Sequence, residues 1–204
     1  MVSFYFSLSV LLILFLVQIF KRDASFKASR FFFFFSIFFL FLSRVYLVFA
    51  QYKTWKNNPL TEKFLPPFND WSYLFEFSLA RFFAPFLVSL LSSFLIIFLL
   101  KKINKKLGER LFYHEEPYLA ASSLLLSGYP GLIFFIIFLL FSQLFVSLFF
   151  FLIFKLRPSS ELKEPPRIPF LFLWVPSALF VIIISNWLEG MEIWRLLQFT
   201  SFNF

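Results

Sequence analysis

Runs of nearly uncharged residues, each long enough to cross a bilayer and separated by short basic clusters, constrain this chain more than any other feature. A crossing helix needs about 20 mostly apolar residues, within roughly 17–25, and residues 4–20, 31–50, 82–100, 132–154 and 168–187 all meet that length. The Phe runs at 31–35 and 149–151 would drive aggregation on any surface facing water. Only 15% of the residues are charged and 60% are hydrophobic, 39 of them Phe, whereas soluble domains carry about 25% charged residues. The pattern predicts an all-α integral membrane protein, a single transmembrane domain over residues 1–204.

The net charge of +8 does not point to nucleic acid, because the basic residues sit in short clusters between apolar runs rather than along one soluble face. Lys and Arg mark the cytoplasmic side of short membrane loops. One cluster is Lys21, Arg22, Lys27 and Arg30; a second is Lys101, Lys102, Lys105, Lys106 and Arg110; a third is Lys155, Arg157, Lys163 and Arg167. All three share one side only if the chain crosses twice between Arg110 and Lys155, turning at Gly128-Tyr129-Pro130-Gly131 on the far side. The resulting expectation is six helices near residues 4–20, 31–50, 77–100, 112–128, 132–156 and 168–188, with an outer loop at 51–76 and both termini outside. The first helix reads as retained, since it ends in Lys21-Arg22 rather than at a small-residue cleavage site. The outer loop, with Pro59, Pro66, Pro67, Trp55 and Trp71, reads as an irregular interfacial segment.

The absence of Cys excludes disulfides and thiolate chemistry, and one His with four Gly argues against a His-rich metal site or a Gly-rich phosphate loop; no metal and no cofactor is expected. Ser89, Ser92, Ser93, Ala120, Ala121, Ser122 and Ser123 suit close helix packing in lipid. Charge at membrane depth is costly and marks candidate sites. Arg44, in Leu42-Ser43-Arg44-Val45-Tyr46, either holds a lipid phosphate in its planar fork or snorkels to the outer interface. For Arg81, near the start of the third helix, snorkelling is the favoured reading. His114 and Glu116, beside Glu115 and Pro117, are acid/base candidates. Consecutive helical residues point in different directions, so a solvated helix start is favoured over a constellation. The catalytic residues are unknown at this level.

The order of these elements resembles bacterial prolipoprotein diacylglyceryl transferase over nearly the whole chain. The local match is closest at Phe39-Leu40-Phe41-Leu42-Ser43-Arg44-Val45-Tyr46-Leu47-Val48-Phe49, which is similar to that family's Gly-x-Arg-[Leu/Ile]-x-Tyr-Val-Leu-Phe stretch. The resemblance implies a bacterial inner-membrane location, phosphatidylglycerol as the lipid partner and lipid-phosphate binding at Arg44 and Tyr46, the two positions that carry over. Arg81 is a further lipid-phosphate candidate by its charge alone. The family's His-Gly segment is here Phe77-Ser78-Leu79-Ala80-Arg81-Phe82-Phe83, and its late Arg and Glu find Ser185 and Glu189. A weaker resemblance, to the C-terminal half of type IV prepilin peptidases, rests on Leu119-Ala120-Ala121, Gly128-Tyr129-Pro130-Gly131-Leu132 and Arg167-Ile168-Pro169-Phe170, and would put that family's Asp at Glu116. Three readings stay open: a divergent transferase, a non-catalytic membrane subunit or lipid-binding scaffold that associates with other membrane proteins, and a degenerate peptidase-like protein. Motif content favours the second.

Overall fold

The computed structural model describes residues 2–20, 22–108, 112–156, 171–188 and 190. All regular structure among them is helical. Helix α1 (Val2–Phe20) packs alongside α2 (Arg22–Lys56), with only Lys21 between them, so the two form an antiparallel pair. Phe6 of α1 stacks on Phe39 of α2 with centroids 3.7 Å apart. A single 3-10 turn, Glu62–Phe64, interrupts the following loop. Helix α3 (Trp71–Ser78) then passes through a π turn at Leu79–Phe83 into α4 (Ala84–Lys106). Helices α5 (Glu116–Ser127), α6 (Gly131–Leu156) and α7 (Leu171–Leu188) complete the bundle.

Among the described residues, four stretches are long and apolar enough to cross a membrane: Ser3–Phe20, Lys27–Lys56, Trp71–Lys106 and Gly131–Leu152. The described apolar part of α7, Phe172–Ser185, and the 12 residues of α5 are shorter.

Several boundaries differ from the sequence expectation. The first basic cluster lies within α2 from Arg22 onward, because Ala24, Ser25, Ala28 and Ser29 offer no Pro or Gly to stop the helix. The 51–76 loop is flanked by helix on both sides: α2 runs to Lys56 and α3 starts at Trp71. Between them Trp55, Leu65 and Leu74 form a small buried cluster of their own. Trp55 stacks on Tyr73, and Phe64 on Tyr73, at 5.8 and 5.0 Å, which closes the loop with aromatic area rather than with regular hydrogen bonding. The helix expected at 112–128 begins only at Glu116, after a turn, and ends at Ser127. Gly128 leaves it with φ +65° and ψ 164°, a backbone region open essentially to glycine.

The 12-residue helix α5 is the central one. Helix α5 touches α1, α2, α4, α6 and α7, and residues Leu119 through Leu126 are all buried. Helix α4 faces it with Phe86, Ser89, Ser93, Leu100 and Asn104. Unlike a water-soluble bundle, the exterior is apolar as well as the core, and small polar residues are buried: Ser122 is 0 % exposed whereas Phe145 is 71 % exposed. Two buried hydroxyls of α4 return to their own helix, with Ser93 Oγ donating to the Ser89 carbonyl at 2.7 Å and Ser89 Oγ to the Pro85 carbonyl at 3.0 Å, whereas those of Ser122 and Ser123 are buried without a hydrogen-bond partner. Small residues inside let the backbones approach, and the exposed Phe and Leu make an outer surface suited to lipid.

Candidate functional site

The only acid that the fold buries completely among the described residues is Glu116, at the start of α5 and 0 % exposed. Its Oε1 accepts the backbone N–H of Tyr113 at 3.1 Å, while the Glu116 N–H donates to the Tyr113 carbonyl at 3.1 Å. The Glu116 side chain thus reaches back to the N–H of the residue that opens the turn, as the Glu of a capping box does, while the turn itself is closed by a backbone bond. Its Oε2 accepts Trp174 Nε1–H of α7 at 3.4 Å. Asn104 of α4 grips the same turn from the other side: Nδ2 donates to the Phe112 carbonyl at 3.0 Å and Oδ1 accepts the Phe112 N–H at 3.1 Å.

Around this centre, Lys101 Nζ donates to the Tyr118 hydroxyl at 3.0 Å and lies 4.7 Å from the Tyr118 ring centroid. The Tyr118 ring meets Phe33 of α2 at 6.3 Å, and the Trp174 ring meets Phe135 of α6 at 6.4 Å. One end of the bundle therefore gathers the start of α2, the end of α4 and the starts of α5 and α7.

These positions correct the expectation of a solvated helix start. Glu115 and Glu116 are buried, and only His114 is exposed. The physical reason is that α5 starts inside the bundle, so its first carboxylate must find partners within the protein. His114 and Glu116 do not come together.

The second group of candidates lies further along α2. From Phe33 to Arg44 the helix rises roughly 16 Å, which separates Arg44 from the end of the bundle that holds Tyr118 and Glu116. Arg44 is half-buried, and its Nε is buried without a hydrogen-bond partner. Tyr46, two positions on, is strongly exposed, as a helical offset of roughly 200° requires. One turn before Arg44, Phe41 meets Phe83 of the π turn that carries Arg81. The Arg81 guanidinium lies 5.7 Å from the Phe77 ring centroid and is exposed, a cation–π contact that suits a snorkelling side chain. Arg44, Tyr46 and Arg81 therefore share a region of the bundle, and nothing joins all three in one pocket.

Next to them an apolar groove runs between α2 and α3, lined by Val45, Val48, Phe49, Tyr52, Trp71 and Leu74 among others. Sequence reasoning missed it, because residues 71–76 were read as loop. No group of three or more metal-ligating side chains occurs among the described residues. The third basic cluster from Arg157 to Arg167, as well as Glu189 and Arg195, lies outside them.

Comparison of the chain with family models, with curated proteins and with solved structures finds no match.

Proposed function

We propose that this protein is a multi-pass membrane subunit that crosses the bilayer six times and serves as a non-catalytic, lipid-contacting scaffold. The observation that carries this reading is the use made of Glu116. The one fully buried carboxylate among the described residues closes the first turn of α5 and ties it to α7, so its lone pairs hold helices together rather than face a reacting group.

The His that a proton-transfer mechanism would need, His114, is exposed, and Arg44 lies about 16 Å of helix rise along α2 from Phe33, whose ring meets Tyr118 near Glu116. Groups that activate an acceptor and groups that stabilise leaving-group charge must converge within hydrogen-bonding reach of one substrate. The separation supports a scaffold over a transferase.

Six crossings are supported by the setting of α5. At roughly 18 Å its 12 residues fall short of the ~30 Å hydrocarbon core. Non-helical backbone is tolerated at membrane depth where protein surrounds it. Helices on every side of α5, with Asn104 and Glu116 satisfying the 112–116 turn, supply that shield. In this reading the end that gathers Lys27, Arg30, Lys101, Lys105 and Trp174 faces the cytoplasm, and both termini lie outside.

The decisive assay supplies purified protein with phosphatidylglycerol and a peptide bearing an exported-lipoprotein cysteine motif. The scaffold reading expects no diacylglyceryl transfer above the protein-free control. Turnover that is lost in Arg44→Ala would overturn it.

A further inference from the structure

We propose that the outward face of α2 next to the first basic cluster holds one anionic phospholipid, drawn from the leaflet on the side of Lys27 and Arg30. This proposal rests on the reading of the chain as membrane-embedded.

Helix α2 has two unlike faces over this stretch. Ser29, Phe33, Ser36 and Leu40, at spacings of three and four, are buried against the bundle. Lys27, Arg30, Phe31, Phe34, Phe35 and Phe38 line a continuous open groove on the other side. The two cations stand at one end of that groove, and only Phe occupies the remainder. Phe31 and Phe35 lie nearly parallel, with centroids 5.9 Å apart and an interplanar angle of 8°, and Phe6 of α1 braces Phe35 from the side at 5.9 Å. The rings therefore form a fixed wall rather than a set of independent side chains.

Length and charge both select the occupant. From Lys27 to Phe38 the helix rises roughly 16 Å, which matches half of the ~30 Å hydrocarbon thickness. An acyl chain lying along the rings would thus place its headgroup level with Lys27 and Arg30. Residues 21–30 carry Lys21, Arg22, Lys27 and Arg30 against one acid, Asp23, so a net negative headgroup is favoured over a zwitterionic one. Arg30 offers a planar fork that takes two phosphate oxygens at once, and Lys27, one turn away on the same face, adds a point charge.

The test uses the purified full chain, stripped of lipid in detergent and offered equal amounts of dioleoyl phosphatidylserine and dioleoyl phosphatidylcholine, with bound lipid counted by native mass spectrometry. Preferential retention of phosphatidylserine is expected. Lys27→Gln and Arg30→Gln should each lower that retention about five-fold, as removal of one basic residue near an anionic headgroup implies. Both side chains are exposed, so helicity by circular dichroism should not change. The exposed pair Lys105 and Lys106, substituted together by Gln, removes two positive charges, twice that of either single variant, elsewhere at the same end of the bundle and should leave retention intact. Equal retention of the two lipids, or a loss from the Lys105/Lys106 pair as large as that from Lys27 and Arg30, would overturn the proposal. Either result would leave the membrane topology standing, since that is read by labelling and not by lipid selectivity.

Discussion

The indole N–H of Trp174 and the carboxylate of Glu116 meet at 3.4 Å across 58 residues of sequence, joining α7 to the central helix at the end of the bundle where α5 begins. This contact is longer than the 3.1 Å bond from Tyr113 to the same carboxylate, and hydrogen bonds weaken beyond roughly 3.2 Å. The local cap is therefore the stronger of the two, and the link between helices is the weaker.

That ranking sets the first prediction. Glu116→Gln places an amide N–H₂ against one of the two donors and leaves that donor unmet, at about 1–3 kcal/mol. Trp174→Phe keeps most of the ring against Phe135 and loses only the longer bond, at about 0.5–1.5 kcal/mol. Thermal unfolding in detergent micelles followed by circular dichroism should show a larger fall in midpoint for Glu116→Gln than for Trp174→Phe. The reverse order would mean that the contact between helices dominates.

A second prediction concerns the turn between α5 and α6. A Cβ added at Gly128 meets nothing within 4 Å, so Gly128→Ala creates no clash. Its cost comes from the backbone, held at φ +65° and ψ 164°, and should amount to about 1–3 kcal/mol. The same unfolding measurement checks it. A neutral result would show that the turn relaxes to a conformation open to Ala.

The apolar exterior and the small-residue packing inside make a third prediction. Ala121 is 0 % exposed at the centre of the helix packing, so Ala121→Leu should overpack the interior at about 1–3 kcal/mol. Leu95 of α4 is 58 % exposed, so Leu95→Ala should stay within about 0.5 kcal/mol. A protease-susceptibility series in detergent distinguishes the two. Comparable susceptibility in both variants would contradict the assignment of the small-residue face to the interior.

Legibility in the sequence followed chemistry unevenly. The long spans were readable because Phe and Leu runs of crossing length admit few other solutions, and the small-residue stretch around Ala120 to Ser123 was readable as a packing face because such residues have no other use in lipid. The burial of Glu116 was not. In sequence, His114-Glu115-Glu116 follows a basic cluster and precedes Pro117, the pattern of an exposed helix start. What reverses it is Trp174, a partner brought in by tertiary packing, together with Asn104 across the turn. The boundaries around 51–76 were lost for a related reason. Pro59, Pro66 and Pro67 mark a break but not its extent, and the stacks of Trp55, Phe64 and Tyr73 that hold the loop pair residues with no sequence periodicity. Arg44 was singled out by its charge, but that its Nε lies buried without a partner depends on tertiary packing that no local pattern reveals.

The central claim is that three basic clusters lie on one face of a membrane that the chain crosses six times. The chain has no native Cys, so single cysteines in place of Lys27, Lys105, Lys163 and Asn57 can each be probed with an impermeant maleimide in intact cells. The account predicts protection at Lys27, Lys105 and Lys163 and labelling at Asn57, with all four sites reacting once the membrane is opened. Labelling at Lys163 in intact cells together with protection at Lys105 would remove one crossing between them and contradict the six-helix arrangement.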